Sequence, residues 1–197
     1  VPSWATFTAS TGVLAGTPLD ANVGDNNVVI TASDGNGGSV TDTFTIVVAN
    51  TNDAPAVSST AVTSATEDAA YSYSITTSDD DSDSSDSWTI SCTTCPSWLS
   101  ISHTAGASTA TLSGTPLNAN VGDNSVVISV ADAASATGTQ SFTITVTNTN
   151  DAPTISSTAV TSVNEDAAYT YTVTTADDDG DTITLTGTTV PSWATFT

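Results

Sequence analysis

Apolar and polar residues alternate along several short stretches of the chain. The sequences YSYSIT at 71–76 and FTITVT at 142–147 place an apolar side chain at every second position. A period of two predicts strands with one buried face, and no stretch has the periodicity of a helix. Thr, Val and Ile are also concentrated in five further stretches, which we predict to be strands: 56–62, 88–92, 98–101, 110–113 and 125–131. Gly, Asn and Asp separate these stretches, as expected for turns.

Stretches of the sequence also recur, most of them 98 residues apart. GTPL occurs at 16–19 and 114–117, and NTNDAP occurs at 50–55 and 148–153. The octapeptide VPSWATFT occurs at both ends of the chain. A repeat of this length is a small domain rather than one unit of a solenoid. The sequence therefore predicts an array of domains.

The repeats divide the chain into three predicted parts. Residues 1–55 are the C-terminal half of a repeat (the head half), residues 56–153 are a complete repeat, and residues 154–197 are the N-terminal half of another (the tail half). Seven short strands within the complete repeat predict an immunoglobulin-like sandwich.

Neither half repeat has enough strands to bury a core by itself. Two explanations stay open. The chain is a window from a longer array, or the tail half of one molecule folds with the head half of the next. The lack of Met and of a signal peptide favours the window.

The charge of the chain restricts its partners. It has no Lys and no Arg against 21 Asp and Glu, which gives a net charge of −21. No side chain can neutralise a phosphate, which excludes nucleic acid and anionic membranes as partners. No apolar run approaches the roughly 20 residues that cross a bilayer, so we expect no membrane insertion. The carboxylates must be hydrated, hydrogen-bonded or held by cations.

Two acidic runs concentrate this charge. Their members are Asp79, Asp80, Asp81, Asp83 and Asp86 in the first, and Asp177, Asp178, Asp179 and Asp181 in the second. Each run is either a solvated loop or a source of cation ligands. An acidic, Lys-free repeat rich in Thr and Ser suits a protein that works outside the cell.

The two cysteines, Cys92 and Cys95, both precede Pro96 in the complete repeat. A local disulfide formed in an oxidising compartment is one interpretation. A zinc site would need two more ligands nearby, and a thioredoxin-like site would need a strand–helix context that the sequence lacks.

The order of the motifs carries a family resemblance. VNEDAAY at 163–169, DDDGD at 177–181, PSW, GTP, ASDGNGG at 32–38 and NTNDAP follow one another in register along the whole chain. In this order they resemble the bacterial cadherin-like repeats of surface proteins, especially the dystroglycan-type cadherin-like and immunoglobulin-like branch. The resemblance implies an all-β fold of tandem seven-stranded immunoglobulin/cadherin-like β-sandwiches arranged end to end, with calcium where one domain meets the next.

The resemblance also implies which residues bind the metal. At the linker 148–153 they would be Glu67, Asn148, Asn150, Asp151, Asp177 and Asp179. At the linker 50–55 they would be Asn50, Asn52, Asp53, Asp79, Asp81 and Asp132. Calcium chemistry agrees, because this ion takes about 6–8 oxygen ligands in irregular geometry and the sequence offers oxygen almost alone. The chain lacks a Leu-Asp-Arg-Glu element between residues 98 and 114, so we expect fewer ions per junction than in cadherins.

Two classes of function remain after catalysis is set aside. With no Lys or Arg and the single histidine His103, the sequence has no acid–base constellation, so we expect no enzyme. The first hypothesis is a structural stalk or fibre on a bacterial cell surface, whose partners are neighbouring repeats of the same chain or identical chains. The alternative is an adhesin module that recognises a glycan or protein through the loop 102–109 or the stretch 88–95.

Overall fold

The computed structural model describes residues 1–81 and 87–197. Asp83 and Asp86 of the first acidic run lie outside the described residues. The strands are β1 Ala5–Thr8, β2 Val13–Gly16, β3 Gly24–Ser33, β4 Ser39–Val48, β5 Ala56–Val57, β6 Ser64–Thr66, β7 Tyr71–Ser78, β8 Thr89–Thr94, β9 Leu99–His103, β10 Thr109–Gly114, β11 Gly122–Ala131, β12 Thr137–Thr147, β13 Thr154–Ile155 and β14 Thr175–Ala176. Single 3₁₀ turns occur at Asp20–Asn22 and Asn118–Asn120. None of the described residues forms a long apolar helix of the kind that crosses a membrane.

Two four-stranded sheets are built from β5 to β12. One has the order β5-β7-β10-β9 and the other the order β6-β12-β11-β8. Neighbouring strands are antiparallel except for β6 and β12, which are parallel. The prediction of one strand over 56–62 is wrong, because the chain leaves the first sheet after Val57 and joins the second at Ser64. This crossing divides the predicted strand into β5 and β6.

The core lies between these two sheets. Alternation along β7 buries Tyr71, Tyr73 and Ile75, and Ile144 and Val146 of β12 face them from the other sheet. The Tyr73 hydroxyl donates to Gln140 Oε1 at 2.9 Å and so joins the sheets by a polar contact as well. The period-two pattern of the sequence therefore specifies which faces meet.

The tryptophan of the PSW motif belongs to the core in the complete repeat. Trp98 packs edge-on against Tyr71, with 5.7 Å between ring centroids, and its indole Nε1 donates to Asn124 Oδ1 at 3.1 Å. The glycine of GTPL has a matching role, because a Cβ on Gly114 would lie 1.9 Å from the Trp98 carbonyl oxygen. These two motifs are therefore linked by close packing of strands β9 and β10.

The two half repeats contain some of the strand pairs of the complete one. In the head half, β1 pairs with β2 and β3 pairs with β4, and the β3–β4 register Gly24↔Val48 repeats the β11–β12 register Gly122↔Val146. In the tail half β13 pairs with β14. The division into half, whole and half repeat stays a prediction.

The two cysteines are joined to each other. Cys92 of β8 and Cys95, just after that strand, form a disulfide with 5.6 Å between their Cα atoms. The bridge closes the longer loop that precedes Pro96 in the complete repeat.

Truncation of a central core residue tests the sandwich. Ile144 has no exposed surface, so Ile144→Ala should lower the free energy of unfolding by about 2–5 kcal/mol, through lost burial and a residual cavity. Guanidinium unfolding followed by circular dichroism measures the loss. The neighbouring Thr143→Ala, at an outward-facing position, is the control and should change stability little. Equal losses in the two variants would contradict the assignment of the buried face.

Candidate cation sites at the two linkers

Both NTNDAP segments connect a long strand to the start of the next unit. The first linker (50–55) runs from β4 to β5, and the second linker (148–153) runs from β12 to β13. Asp81 of the first acidic run and Asp179 of the second each accept a hydrogen bond from the linker that precedes them. The result is a concentration of carboxylates at each linker.

Glu67 is the most buried acidic residue at the second linker. It follows β6, its amide donates to the Thr147 carbonyl at 3.0 Å, and its side chain is only 2% exposed. Oε2 accepts a hydrogen bond from the Thr149 amide at 3.1 Å. Oε1 is buried and has no hydrogen-bond partner among the described residues. A buried carboxylate oxygen without a hydrogen-bond partner destabilises the folded protein unless a cation compensates its charge.

Two further carboxylates lie beside Glu67. Glu67, Asp68 and Asp151 each place one oxygen within 4.8 Å of the others. Asp68 is held there by a left-handed backbone with φ of 58° and by its amide, which donates to the Pro116 carbonyl at 2.9 Å. Sequence reasoning missed Asp68 as a candidate, although it follows Glu67 directly in the EDAAY motif.

The second acidic run forms a compact loop next to this group. Asp177 Oδ1 accepts from the amides of Asp179 and Asp181, both at 3.1 Å. Asp179 Oδ2 accepts from the Asp151 amide at 2.5 Å, whereas Asp179 Oδ1 is buried without a partner in the described ranges. Oxygens of Asp177, Asp179 and Asp181 come within 4.8 Å of one another. Asp181 was also missed, because the resemblance names only the first and third members of the run.

Mutual repulsion marks these groups as a site of excess negative charge. Loss of hydration raises the pKa of Asp151 above its ordinary value, and the carboxylates of Asp68, Asp179, Asp178 and Asp177 raise it further. A carboxylate whose pKa rises in this way is less stable when charged than it is in water. A cation would remove that penalty.

The first linker repeats part of this arrangement. Asp81 accepts from the Asn50 side-chain amide at 2.9 Å and from the Asp53 backbone amide at 2.8 Å. Asp79 Oδ1 accepts from the Asp81 amide at 3.1 Å, and Asp79 Oδ2 is buried with no partner in the part of the chain that the structure describes. The pKa of Asp53 is raised, chiefly by the charge of Asp20 and further by burial and by the acidic run. Asp20 was not anticipated at this linker.

Asn52 and Asp132 form a separate contact at the first linker. Asp132 lies in the turn between β11 and β12 and is 7% exposed. Its Oδ2 accepts from the Asn52 side-chain amide at 2.8 Å, and its Oδ1 accepts from the Ala136 amide at 2.8 Å. These donors lower the pKa of Asp132, the Asn52 amide most of all. The contact ties the linker to the far end of the sandwich from Glu67.

The structure thus places only some of the predicted ligands close to one another. The structure brings together Glu67, Asp151, Asp177 and Asp179 at the second linker, and Asn50, Asp53, Asp79 and Asp81 at the first. Asn150 donates to the Asp151 carbonyl at 2.9 Å, Asn52 joins Asp132 to the first linker, and Asn148 is exposed. The roles of all these residues as metal ligands stay predictions.

Known proteins resemble this chain at the level of the family and the fold. The family model described as Putative Ig domain matches residues 1–49 and 54–147. No curated protein matches the chain. The predicted resemblance and the all-β immunoglobulin/cadherin-like fold are therefore confirmed.

The chain is similar to parts of several solved structures, and two protocadherin structures with TM-scores above 0.5 share its fold. The protocadherin GammaB4 extracellular domain has a TM-score of 0.57 at 21% identity, over 90% of this chain and 30% of that one. Cadherin domains 3–6 of protocadherin Gamma B2 have a TM-score of 0.57 at 16% identity, over 88% and 44%. An endo-fucoidan hydrolase of glycoside hydrolase family 107 has a TM-score of 0.43 at 28% identity, over 75% and 22%. The chain thus spans less than half the length of each.

The contact between Asn52 and Asp132 predicts a measurable titration. NMR titration without divalent cations should give Asp132 a pKa below its ordinary value of 3.8, and Asn52→Ala should raise that pKa toward it. Because the folded pKa is the lower one, this group contributes stability above the unfolded pKa, which is lost as pH falls through the folded pKa.

The equivalent asparagine of the second linker provides the control for this titration. Asn150→Ala should leave the pKa of Asp132 unchanged, since Asn150 bonds to Asp151 instead. An unaltered Asp132 pKa in Asn52→Ala would contradict the contact.

Proposed function

The chain belongs to the Putative Ig domain family, and we propose that it is a structural segment of an extracellular filament or stalk on a bacterial cell surface, in which calcium at the linkers makes the array rigid. Its partners are neighbouring repeats of the same chain or identical chains. The buried Glu67 carboxylate, with one oxygen unpartnered among the described residues, carries the metal part of this proposal.

The charge at the second linker favours a bound cation. Glu67, Asp68 and Asp151 place carboxylate oxygens within 4.8 Å of one another, and the chain has no Lys or Arg to neutralise them. A buried charge that lacks its partner strongly destabilises the folded state. A bound cation offsets this cost at the second linker, where no side chain of the protein can.

The donor set selects the kind of cation. The clustered groups are carboxylates, with amide and carbonyl oxygens close by, and hard cations prefer such ligands. Calcium accepts more ligands and less regular geometry than magnesium, which needs a near-octahedral arrangement at shorter distances. Glu67, Asp68, Asp151 and the loop Asp177–Asp181 would therefore hold calcium at the second linker. Asn50, Asp53, Asp79 and Asp81 would hold it at the first.

The origin of the ligands explains how binding would stiffen the array. Glu67 belongs to the complete repeat, Asp151 to the linker, and Asp179 to the unit that follows. Calcium supplies positive charge that attracts all three segments at once. Without that charge the carboxylates repel one another, and the linker is free to act as a hinge.

The adhesin alternative has less support from the residues that suggested it. Trp88 is partly buried and packs against the core rather than forming an open platform. Nε2 of His103 lies 3.0 Å from the Trp88 carbonyl oxygen, and Nδ1 lies 3.2 Å from the Thr109 carbonyl oxygen. These contacts favour a structural role for the part of the complete repeat that differs from the other copies.

Calcium binding at the second linker is tested by removing one charge. Calcium titration by calorimetry should show binding to the intact chain, and Glu67→Gln should weaken it about tenfold or more, because a neutral amide replaces a buried carboxylate in the site. The control is Asp42→Asn, which removes one charge from an exposed position within β4, away from both linkers. The metal assignment would be wrong if the unmodified chain released or absorbed no heat of calcium binding, or if Glu67→Gln and Asp42→Asn bound calcium with equal affinity.

Rigidity is tested separately from binding. ¹⁵N relaxation at the amides of residues 148–151 should show restricted nanosecond motion in millimolar calcium and increased motion after chelation. Amides of β11 serve as an internal reference, since their strand is paired on both sides. Identical linker motion with and without calcium would leave the ion without the proposed mechanical role.

A further inference from the structure

The turn between β3 and β4 holds the only asparagine of the chain that is followed by glycine, Asn36 before Gly37. Every residue of this turn, from Asp34 to Gly38, is exposed. In such a pair the amide nitrogen of the glycine can attack Cγ of the asparagine, because no Cβ on the second residue obstructs the five-membered ring that forms. The surroundings leave room for the ring as well, since a Cβ built on Gly37 would meet no atom within 4 Å.

The hydrogen bonds of the turn leave the attacking nitrogen free. The amides of Asn36 and Gly38 both donate to Asp34 Oδ1, at 2.8 and 2.9 Å. The Gly37 amide lies between them along the chain and has no hydrogen-bond acceptor among the described residues. The backbone φ at Gly37 is 100°, a conformation that glycine adopts without strain. The nitrogen that must attack Asn36 is therefore not engaged by the fold.

The same hydrogen bonds protect the other candidate in the turn, Asp34 before Gly35. An aspartate reacts by this route only when its carboxyl group is protonated, because an ionised carboxylate resists attack by a nitrogen nucleophile. The amides of Asn36 and Gly38 lower the pKa of Asp34 and so keep it ionised. The Asn36 side chain makes only a long contact, from Nδ2 to the Asp34 carbonyl at 3.3 Å. The turn thus favours reaction at Asn36 over reaction at Asp34.

The complete repeat shows that this position stays exposed when a linker contacts the turn. Ala134 and Ser135, which lie 98 positions after Asn36 and Gly37, are both exposed, although Asp132 of the same turn accepts a hydrogen bond from the first linker. Because Ala134 has no side-chain amide, the complete repeat lacks the reactive group. The reactive pair is therefore a property of the β3–β4 turn alone.

We propose that Asn36 is a site of spontaneous deamidation, which converts it to a mixture of aspartate and isoaspartate. The Gly37 nitrogen loses its proton and forms a bond to Asn36 Cγ, the bond from Cγ to Nδ2 breaks, and ammonia leaves with the proton. Water then opens the resulting succinimide at one or the other carbonyl carbon, which gives aspartate or isoaspartate. The sequence of steps consumes water alone and involves no change of oxidation state. It changes the net charge of the chain from −21 to −22.

The isoaspartate product would also alter the turn. Its main chain runs through the former side chain and is therefore longer by one methylene group between the amides of residues 36 and 38. Since both amides bind Asp34 Oδ1, the two bonds cannot both keep their geometry. In a long-lived filament of the kind proposed above, the fraction of loosened β3–β4 turns would grow with age.

Peptide mapping of the aged intact chain tests the site. Chymotrypsin, which cuts after aromatic residues and leucine, should release the equivalent peptides 20–44 and 118–142. After incubation at mildly alkaline pH, the mass gained when an acid replaces an amide should appear at Asn36 in peptide 20–44, as both aspartate and isoaspartate. Peptide 118–142 is the internal control. Its Asn124 should remain an amide, since its side chain is bonded to the carbonyls of Asn120 and Gly122 and to the indole of Trp98.

The matched variant is Gly37→Ser, because Ser135 shows that serine fits this turn with a left-handed backbone, at φ of 73°. The added Cβ should slow the conversion of Asn36 about tenfold by hindering ring closure. The proposal would be overturned if Asn36 converted no faster than Asn124, or if Gly37→Ser left the rate of conversion unchanged. Equal amounts of isoaspartate at residues 34 and 36 would also contradict it.

Discussion

Electrostatic repulsion that no side chain can relieve is the constraint on which the linkers depend. With no Lys or Arg, each of the 21 acidic residues must use water, a backbone amide, a neutral side chain or an external cation. Asp132 uses the first linker's asparagine, and Asp177 uses backbone amides. Glu67 is buried, Asp79 and Asp179 are partly buried, and each has one buried oxygen without a partner among the described residues. The chain therefore concentrates uncompensated charge at the two linkers.

The fold could be predicted largely because alternation and repetition are both local signals. YSYSIT and FTITVT predicted β7 and the end of β12, and the facing residues Tyr73 and Ile144 are buried as expected. The division of 56–62 into β5 and β6 could not be predicted, because a strand that changes sheets keeps the same composition on both sides of the crossing. Pairing partners, rather than propensity, decide where such a strand ends.

The candidate site was predictable in its location but not in its membership. NTNDAP and the acidic runs indicated the linkers, and Glu67 was identified by resemblance. Asp68 and Asp20 escaped notice because their proximity to the linkers depends on tertiary contacts: the bond from the Asp68 amide to the Pro116 carbonyl, and the position of the 3₁₀ turn that holds Asp20. Sequence spacing says nothing about contacts between segments that are distant along the chain, and these determine which carboxylates share a site.

The parallel pairing of β6 with β12 has a mechanical consequence. β6 follows the first linker and β12 precedes the second, so tension along the array pulls these neighbouring strands in opposite directions. Their hydrogen bonds, together with the bond from the Thr145 amide to the Thr63 carbonyl, are then loaded in shear and must fail together rather than one after another. Residues 56–147 are thereby suited to bear load along the axis of the sandwich, as the proposed stalk would require.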